Sequence, residues 1–211
     1  MNKTGKFIVF EGGEGSGKTS HIKKTAEQLT MLGFNVLVTH EPGGTEFGKK
    51  LREHLLFSQG TNAISAQAEL FLFLADRAQH VEQVIKPALA IGKLVLCDRF
   101  TGSTLAYQIG ARNLANPELI KQIESYARDY LATDLTLFLD VDPAIGIARK
   151  HKQQQQGEKL SSFDNEALTF HYKVRQYFLQ LAKQDNWRVI DTNREKDIVQ
   201  TDIIKQIKQL L

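Results

Sequence analysis

Five short apolar runs punctuate the chain: Phe7 to Phe10 (FIVF), Val36 to Thr39 (VLVT), Leu94 to Cys97 (LVLC), Leu135 to Leu139 (LTLFL) and the pair Val189-Ile190. None alternates apolar with polar positions, the pattern of parallel strands covered on both faces. Between them lie longer segments with apolar residues at helical spacing: Lys18 to Leu32, Phe47 to Leu56, Ala66 to Ile85, Pro117 to Leu131, Pro143 to Lys150, Asn165 to Gln184 and Asp197 to Leu210. Strand and helix alternate, so the order predicts an α/β fold with right-handed crossovers, an open parallel sheet flanked by helices, and ligands beyond the carboxyl ends of the strands. The segments EGGEGSGKT, HEPGGTEFG, DRFTGST and DVDP each begin at such a strand end.

Composition sets limits without choosing a function. The 211 residues are 42% hydrophobic and 24% charged, enough for one core without disulfides or a structural metal. No repeat or linker divides them, and residues 1–211 read as a single domain. A net charge of +3 with dispersed Lys and Arg gives no argument for a nucleic-acid partner, although a basic cleft for a small anion is compatible with it. The lone cysteine, Cys97, lies in an apolar run and reads as a buried, inert thiol, which fits a cytoplasmic location. No window looks like a signal sequence or approaches the roughly 20 apolar residues of a membrane span. The low-complexity stretch RKHKQQQQGEKLSS, Arg149 to Ser162, reads either as a mobile, solvated connection between two helices or as a lid.

Gly12 to Thr19 (GGEGSGKT) match G-x-x-x-x-G-K-[ST] between an apolar strand and a helix. The backbone N–H groups of Gly12, Gly13, Glu14, Gly15, Ser16 and Gly17 can form an anion nest, and the helix N-terminus adds roughly half a positive charge. Lys18 is expected to reach the β- and γ-phosphates of a nucleotide and the Thr19 hydroxyl to ligate Mg²⁺. The loop alone does not distinguish a kinase from a motor or a switch. Glu14 raises a question of its own, since a carboxylate stands in the middle of an anion-binding loop.

Asp98-Arg99 follows the third strand and so shares that crevice; Asp98 can hold Mg²⁺ through water and Arg99 can grip a phosphate, or the two can form a mere ion pair. Phe73 and Arg77 are spaced i, i+4 and share a helical face, where a ring and a guanidinium could stack on and bond a nucleobase. Phe71 and Leu72 read as core, and Phe73 alone is equally compatible with core or ligand. Arg77 needs an anion or acceptor nearby. Ser103, Thr104, Tyr107 and Gln108 fall within about one and a half helical turns; together they could read a base edge and sugar face, or simply cap an ordinary helix.

Taken together, FIVFEGGEGSGKTS, EPGGTEFGKKLRE, ELFLFLADRAQHVEQVIKPAL, GKLVLCDRFTGSTLAYQ, DLTLFLDVDPAIGIARK and FHYKVRQYFLQLA cover most of the chain and resemble the bacterial thymidylate kinases. The resemblance implies a P-loop nucleoside monophosphate kinase fold with a five-stranded parallel sheet and a lid at residues 149–162, transfer of phosphate from ATP to dTMP with Mg²⁺, and a homodimer. It implies that Phe73 stacks on thymine, Arg77 bonds its O4, Thr104 and Gln108 face its edge near N3, and Tyr107 disfavours a ribose hydroxyl. It also implies that Arg99 holds the dTMP phosphate, Asp98 and Thr19 serve Mg²⁺, Arg149 covers adenine, and Glu14 approaches the 3′ side of the acceptor sugar.

Two departures from the resemblance stand out. His40 occupies the position before EPGGT where the family usually has arginine, which implies weaker binding of dTMP. Gly15 leaves the phosphate loop without the arginine of one subclass, while the lid Asp-Arg pair of the other subclass aligns with Ser161-Ser162. An arginine on the transferred phosphoryl group is worth roughly 10³ to 10⁵ in rate, so Arg149, Lys150, Lys152 and Lys159 are candidate replacements, Arg149 first for its planar fork. The remaining alternatives are a P-loop kinase for another nucleotide or nucleoside, and a nucleotide-dependent switch, the latter opposed by DVDP where a guanine-reading [NT]-K-x-D would stand.

Overall fold

The computed structural model describes residues 5–58, 63–157 and 159–211. Strands β1 (Lys6–Glu11), β2 (Val36–His40), β3 (Leu94–Asp98), β4 (Leu135–Asp140) and β5 (Arg188–Asp191) form one all-parallel sheet in the order β2-β3-β1-β4-β5. The central β1 explains its own unbroken apolar run: Phe7, Ile8, Val9 and Phe10 are all buried, Ile8 and Phe10 on one face and Phe7 and Val9 on the other. Edge strands β2 and β5 are less covered, and Val38 and Val189 are each 48% exposed.

Helices α1 (Lys18–Met31) and α9 (Lys196–Leu210) cover one face, where Ile22, Leu29, Val199, Ile203 and Ile207 pack on Ile8, Phe10, Leu96 and Leu139. On the other face Phe7, Val9, Val95 and Cys97 meet Val81, Ile85 and Phe100. Cys97 is fully buried as expected, and burial drives its pKa well up.

The expected helix from Ala66 to Ile85 is longer than its pattern. After α3 (Ala66–His80) the backbone widens into π-type turns at Val81–Ile85 and continues as α4 (Lys86–Ala90). Pro87 follows directly on these π-type turns, where Lys86 N donates to Val81 O and the i→i−4 ladder that its missing N–H would break is already interrupted. The same device recurs where α5 (Thr101–Thr104) runs into π-type turns at Leu105–Ala111, which carry Tyr107 and Gln108. Such turns are frequent at functional sites.

Elsewhere α2 (Glu46–Phe57) is capped by Thr45, whose Oγ1 accepts from Gly48 N at 2.9 Å. Helix α6 (Pro117–Ala127) stops short of the expected Leu131, because Asp129 and Tyr130 turn to φ of 49° and 55°. Helix α8 (Leu168–Gln184) begins three residues after the expected Asn165. Helix α7 (Pro143–Gln155), capped by Asp142, overruns the expected Lys150.

That overrun corrects the reading of Arg149–Ser162 as a mere connection between helices, while residues 151–157 are exposed to solvent as expected. Its first half is helix, consistent with the good helix propensity of Lys and Gln. Its last residues are docked: Ser162 N donates to Leu56 O at 2.7 Å, and Ser161 N and Oγ donate to Asp164 Oδ2 at 2.8 and 2.7 Å. Glu158 within this stretch lies outside the described residues. No helix among the described residues is long and apolar enough to cross a membrane.

Candidate active site

Register decides what meets at the end of the sheet. Phe10 pairs with Asp98 and Asp98 with His40, so β1, β3 and β2 end in step and deliver their three following loops to one place. They open into a single cavity of about 1670 Å³, well above the roughly 300–1,000 Å³ of a one-ligand pocket. The phosphate loop from Glu14 to Thr19, the Asp98-Arg99 corner, and a wall of Phe73, Thr104, Tyr107 and Gln108 all border it.

Gly17 caps α1 in the left-handed region, with φ of 85°, and so aims the helix N-terminus at the loop's mouth. Lys18 folds back over the loop, donating to Gly12 O at 2.9 Å, Gly13 O at 3.0 Å and Ser16 Oγ at 3.2 Å. Burial and the neighbouring Arg99 charge pull its pKa down to about 8. A buried ammonium held only by neutral oxygens is poised to prefer an incoming anion.

Gly15 has φ of 67°, and a Cβ on it would lie 2.0 Å from Gly146 O in α7. The reverse also holds, since a Cβ on Gly146 would lie 2.2 Å from Glu14 O. Loop and helix therefore touch through two glycines, and no side chain fits at residue 15 without moving one of them.

The carboxylate of Glu14 turns away from the nest. Its Oε1 accepts from Arg99 Nη2 and from the Tyr107 hydroxyl, each at 2.8 Å. Burial opposes its ionisation, but the charges of Arg99 and Lys18 and the Tyr107 bond win, holding its pKa at about 2. Arg99 takes φ of 69°, uncommon for a residue with a side chain. Its Nη1 donates to Gly12 O at 3.0 Å and to Ser103 Oγ at 3.1 Å, and its guanidinium lies 5.2 Å above the Tyr107 ring. Glu11, which no sequence pattern marks, accepts from Phe100 N, Ser103 N and Ser103 Oγ and so anchors the start of α5 beside the site.

Thr19 Oγ1 donates to Asp98 Oδ2 at 2.8 Å, while Asp98 Oδ1 is buried with no hydrogen-bond partner among the described residues. A hydroxyl, a carboxylate and a spare acceptor beside a phosphate loop fit the hard oxygen donor set that Mg²⁺ takes. Among the described residues no group of three His, Cys, Asp or Glu side chains gathers as a metal cage.

At the far end of the cavity Phe73 faces Phe163 with ring centroids 6.2 Å apart, and Phe163 sits edge-on to Tyr107 at 5.5 Å. Phe163 is buried and was missed from the sequence. Arg77 differs from the simple expectation of a base-binding fork. It is 2% exposed, its Nε and Nη2 engage Glu41 Oε2 at 2.9 and 2.8 Å, and its Nη1 donates to Thr104 Oγ1 and Glu124 Oε1 at 3.0 and 3.2 Å. The anion it needs is supplied by the protein, although the side chain still borders the cavity. Phe71, expected in the core, is 54% exposed, because it lies on the outer side of α3 from the buried Leu70 and Leu74.

Arg149 lies at the phosphate-loop end, donating to Gly15 O at 3.2 Å and Thr192 O at 3.0 Å. Lys150, Lys152 and Lys159 also border the cavity, and the Lys159 ammonium sits 4.1 Å above the Phe57 ring. On the opposite rim Arg52 Nη1 donates to Pro42 O at 2.7 Å. Arg52 lies within EPGGTEFGKKLRE, where no spacing marks it as a site residue. Partial desolvation and the Arg52 charge lower the pKa of His40, although the residue as a whole is exposed.

The thymidylate kinase family profile matches residues 10–203. A thymidylate kinase of Magnetococcus marinus is 45% identical over 92% of this chain and 90% of its own length. One from Desulforapulum autotrophicum is 45% identical over 97% of this chain and 92% of its own. The crystal structure of thymidylate kinase from Ehrlichia chaffeensis superposes with a TM-score of 0.76 at 32% identity, covering 96% of this chain and 98% of that one. Sequence and fold agree over nearly the full length of each partner, and the chain belongs to the thymidylate kinase family.

Proposed function

We propose that this chain transfers the γ-phosphoryl group of ATP to dTMP, giving dTDP and ADP by one in-line displacement. One observation carries the reading: the phosphate loop, the Asp98-Arg99 corner and the Phe73-Tyr107-Gln108 wall border the same cavity, so a donor and an acceptor nucleotide can lie in it end to end. Family membership supplies the nucleotides that fit.

In this reading the N–H groups of Gly12 to Thr19 and the Lys18 ammonium cradle the ATP phosphates, and Arg149 covers the adenine until closure carries it over the phosphates. Thr19 and Asp98 hold Mg²⁺, which when bound neutralises developing phosphate charge. Arg99 grips the dTMP phosphate and Glu14 takes the 3′ side of the sugar. Phe73 stacks on thymine, Arg77 reaches O4 with what its ion pairs leave, Thr104 and Gln108 face N3, and Tyr107 crowds C2′.

An oxygen of the dTMP phosphate attacks the γ-phosphorus, and the bond to the bridging oxygen breaks with its electron pair leaving on ADP. That nucleophile is already anionic at neutral pH, so no general base is required. Among the buried histidines, His21 bonds Gln200 and His80 bonds Glu41 and Thr39, while His171 Nε2 has no hydrogen-bond partner among the described residues. The protein's work is alignment, charge neutralisation and exclusion of water, the last by closure of residues 149–162. The whole chain acts as one domain, forms a homodimer and works in the cytoplasm.

Anion-exchange analysis of a reaction containing ATP, Mg²⁺ and dTMP tests the reading. Equal amounts of dTDP and ADP are expected, with the rate reduced at least about 10²-fold in Arg99→Ala, since such preorganised charge is typically worth 10²–10³. ADP formed without dTDP would contradict it.

A further inference from the structure

We propose that Glu69, held by Arg112, fixes the side-chain amide of Gln108 so that its carbonyl oxygen faces the cavity and selects a base with an N–H at N3. The inference rests on the proposed function and adds a specificity determinant that lies behind the cavity wall.

Gln108 borders the cavity and is 1% exposed, with Nε2 donating to Glu69 Oε1 at 2.9 Å. Glu69, in the first turn of α3, is itself buried. It is held from behind by Arg112, whose Nε and Nη2 lie 3.4 and 3.3 Å from its two oxygens. Arg112 also donates from Nη1 to Glu166, and its guanidinium lies 4.8 Å above the Phe170 ring. The carboxylate is thus pinned from one side by a cation that is itself pinned.

An ionised carboxylate can only accept hydrogen bonds, whereas an amide offers two donors at one end and an acceptor at the other. Rotating the Gln108 amide by half a turn would set oxygen against oxygen in a buried place, at the cost of an unsatisfied pair. The amide therefore has one orientation, with Nε2 toward Glu69 and Oε1 on the other side. Among the described residues no group donates to Oε1. Thymine and uracil carry a donor at N3, which such an oxygen accepts; cytosine carries an acceptor there and would leave both atoms unpaired. A site built around a hydrogen bond rejects a ligand that cannot make it.

Glu69 is a positioning residue, and the test reads a ratio that a loss of packing does not move. The kcat/KM values for dTMP and 5-methyl-dCMP are measured in the wild-type chain and in Glu69→Gln, Glu69→Met and Glu69→Asp. The two acceptors share methyl, sugar and phosphate, and differ in hydrogen bonding at N3 and C4. In Glu69→Gln and Glu69→Met, which free the amide to turn, the preference for dTMP is expected to fall about tenfold or more, largely through gain with 5-methyl-dCMP. Glu69→Asp keeps an acceptor-only partner and should keep most of the preference. Equal losses with both acceptors, or an unchanged ratio in whichever of the first two variants folds, would overturn the inference alone. A wild-type chain that phosphorylates neither nucleotide would overturn the proposed function and the inference with it.

Discussion

Glu14 Oε1 and Arg99 Nη2 are joined at 2.8 Å, across 85 residues of chain, by the one carboxylate of the phosphate loop. The pairing resolves why a negative charge is tolerated there. The nest is made by backbone N–H groups, while the side chain leaves it and neutralises the guanidinium proposed to grip the acceptor phosphate. Before dTMP arrives, Arg99 is therefore not a bare buried cation, and substrate phosphate must share or displace Glu14.

A stability signature follows. The folded pKa of Glu14, about 2, lies below its ordinary 4.5, so the ionised form is favoured by folding. Its contribution is fully present above pH 4.5 and is lost as pH falls from there through 2. The shift corresponds to at most roughly 3 kcal/mol. Thermal melts from pH 6 down to 2.5 should show Glu14→Gln losing less stability on acidification than wild type. Parallel acid limbs would show that the pair contributes nothing.

Lys18 gives a signature on the alkaline side. With its pKa lowered to about 8 before nucleotide binds, and raised by a bound polyphosphate, Lys18 must take up a proton to bind at higher pH. Affinity for ATP should be flat below pH 8 and weaken above it, by up to tenfold per pH unit until the bound-state pKa is reached. Calorimetric titrations at pH 7 to 9.5 check this, and Lys18→Ala should bind weakly with that dependence gone.

Charge at the transferred phosphoryl group cannot be restored through the loop itself. Because a Cβ at residue 15 would lie 2.0 Å from Gly146 O at φ of 67°, Gly15→Arg should lose about 2 kcal/mol or more of stability and gain no rate. The cation is instead expected from α7 and the segment after it. Among single alanine variants of Arg149, Lys150, Lys152 and Lys159, Arg149→Ala should lower kcat most, by about 10² or more, with poor rescue by lysine. This requires Arg149 to leave Gly15 O and Thr192 O on closure. Near-normal turnover in all four variants would contradict it.

His40 tests the acceptor side. With its pKa held below the ordinary value, His40 offers the dTMP phosphate less charge than an arginine would, so His40→Arg should lower KM for dTMP, by roughly three- to tenfold for one strengthened exposed charge contact, with kcat little changed. An unchanged KM would mean that Arg52, on the same rim, already suffices.

The sheet was legible because β1, β3 and β4 are buried on both faces, and burial of that kind writes itself as an unbroken apolar run. The phosphate loop was legible because its chemistry is local to eight residues. Helix ends were not: Asp129 and Tyr130 end α6 by adopting positive φ without a glycine to signal it, and the glutamines of α7 are as compatible with helix as with loop. The partners of Arg77, Glu41 and Glu124, are 36 and 47 positions away, and no spacing rule reveals them. Phe163 follows a low-complexity stretch and looks like loop, yet it closes the aromatic end of the cavity against Tyr107. Local pattern carried the scaffold and the donor loop, while the acceptor wall depends on contacts that only the fold creates.

The most direct measurement is the rate of ADP release with ATP and Mg²⁺ in the presence of dTMP, dUMP, dCMP, dGMP or thymidine, each in turn. The account predicts fast turnover with dTMP, with dCMP, dGMP and thymidine near the background without acceptor. Turnover that is fastest with thymidine or a purine nucleotide, or that ignores the acceptor altogether, would contradict it.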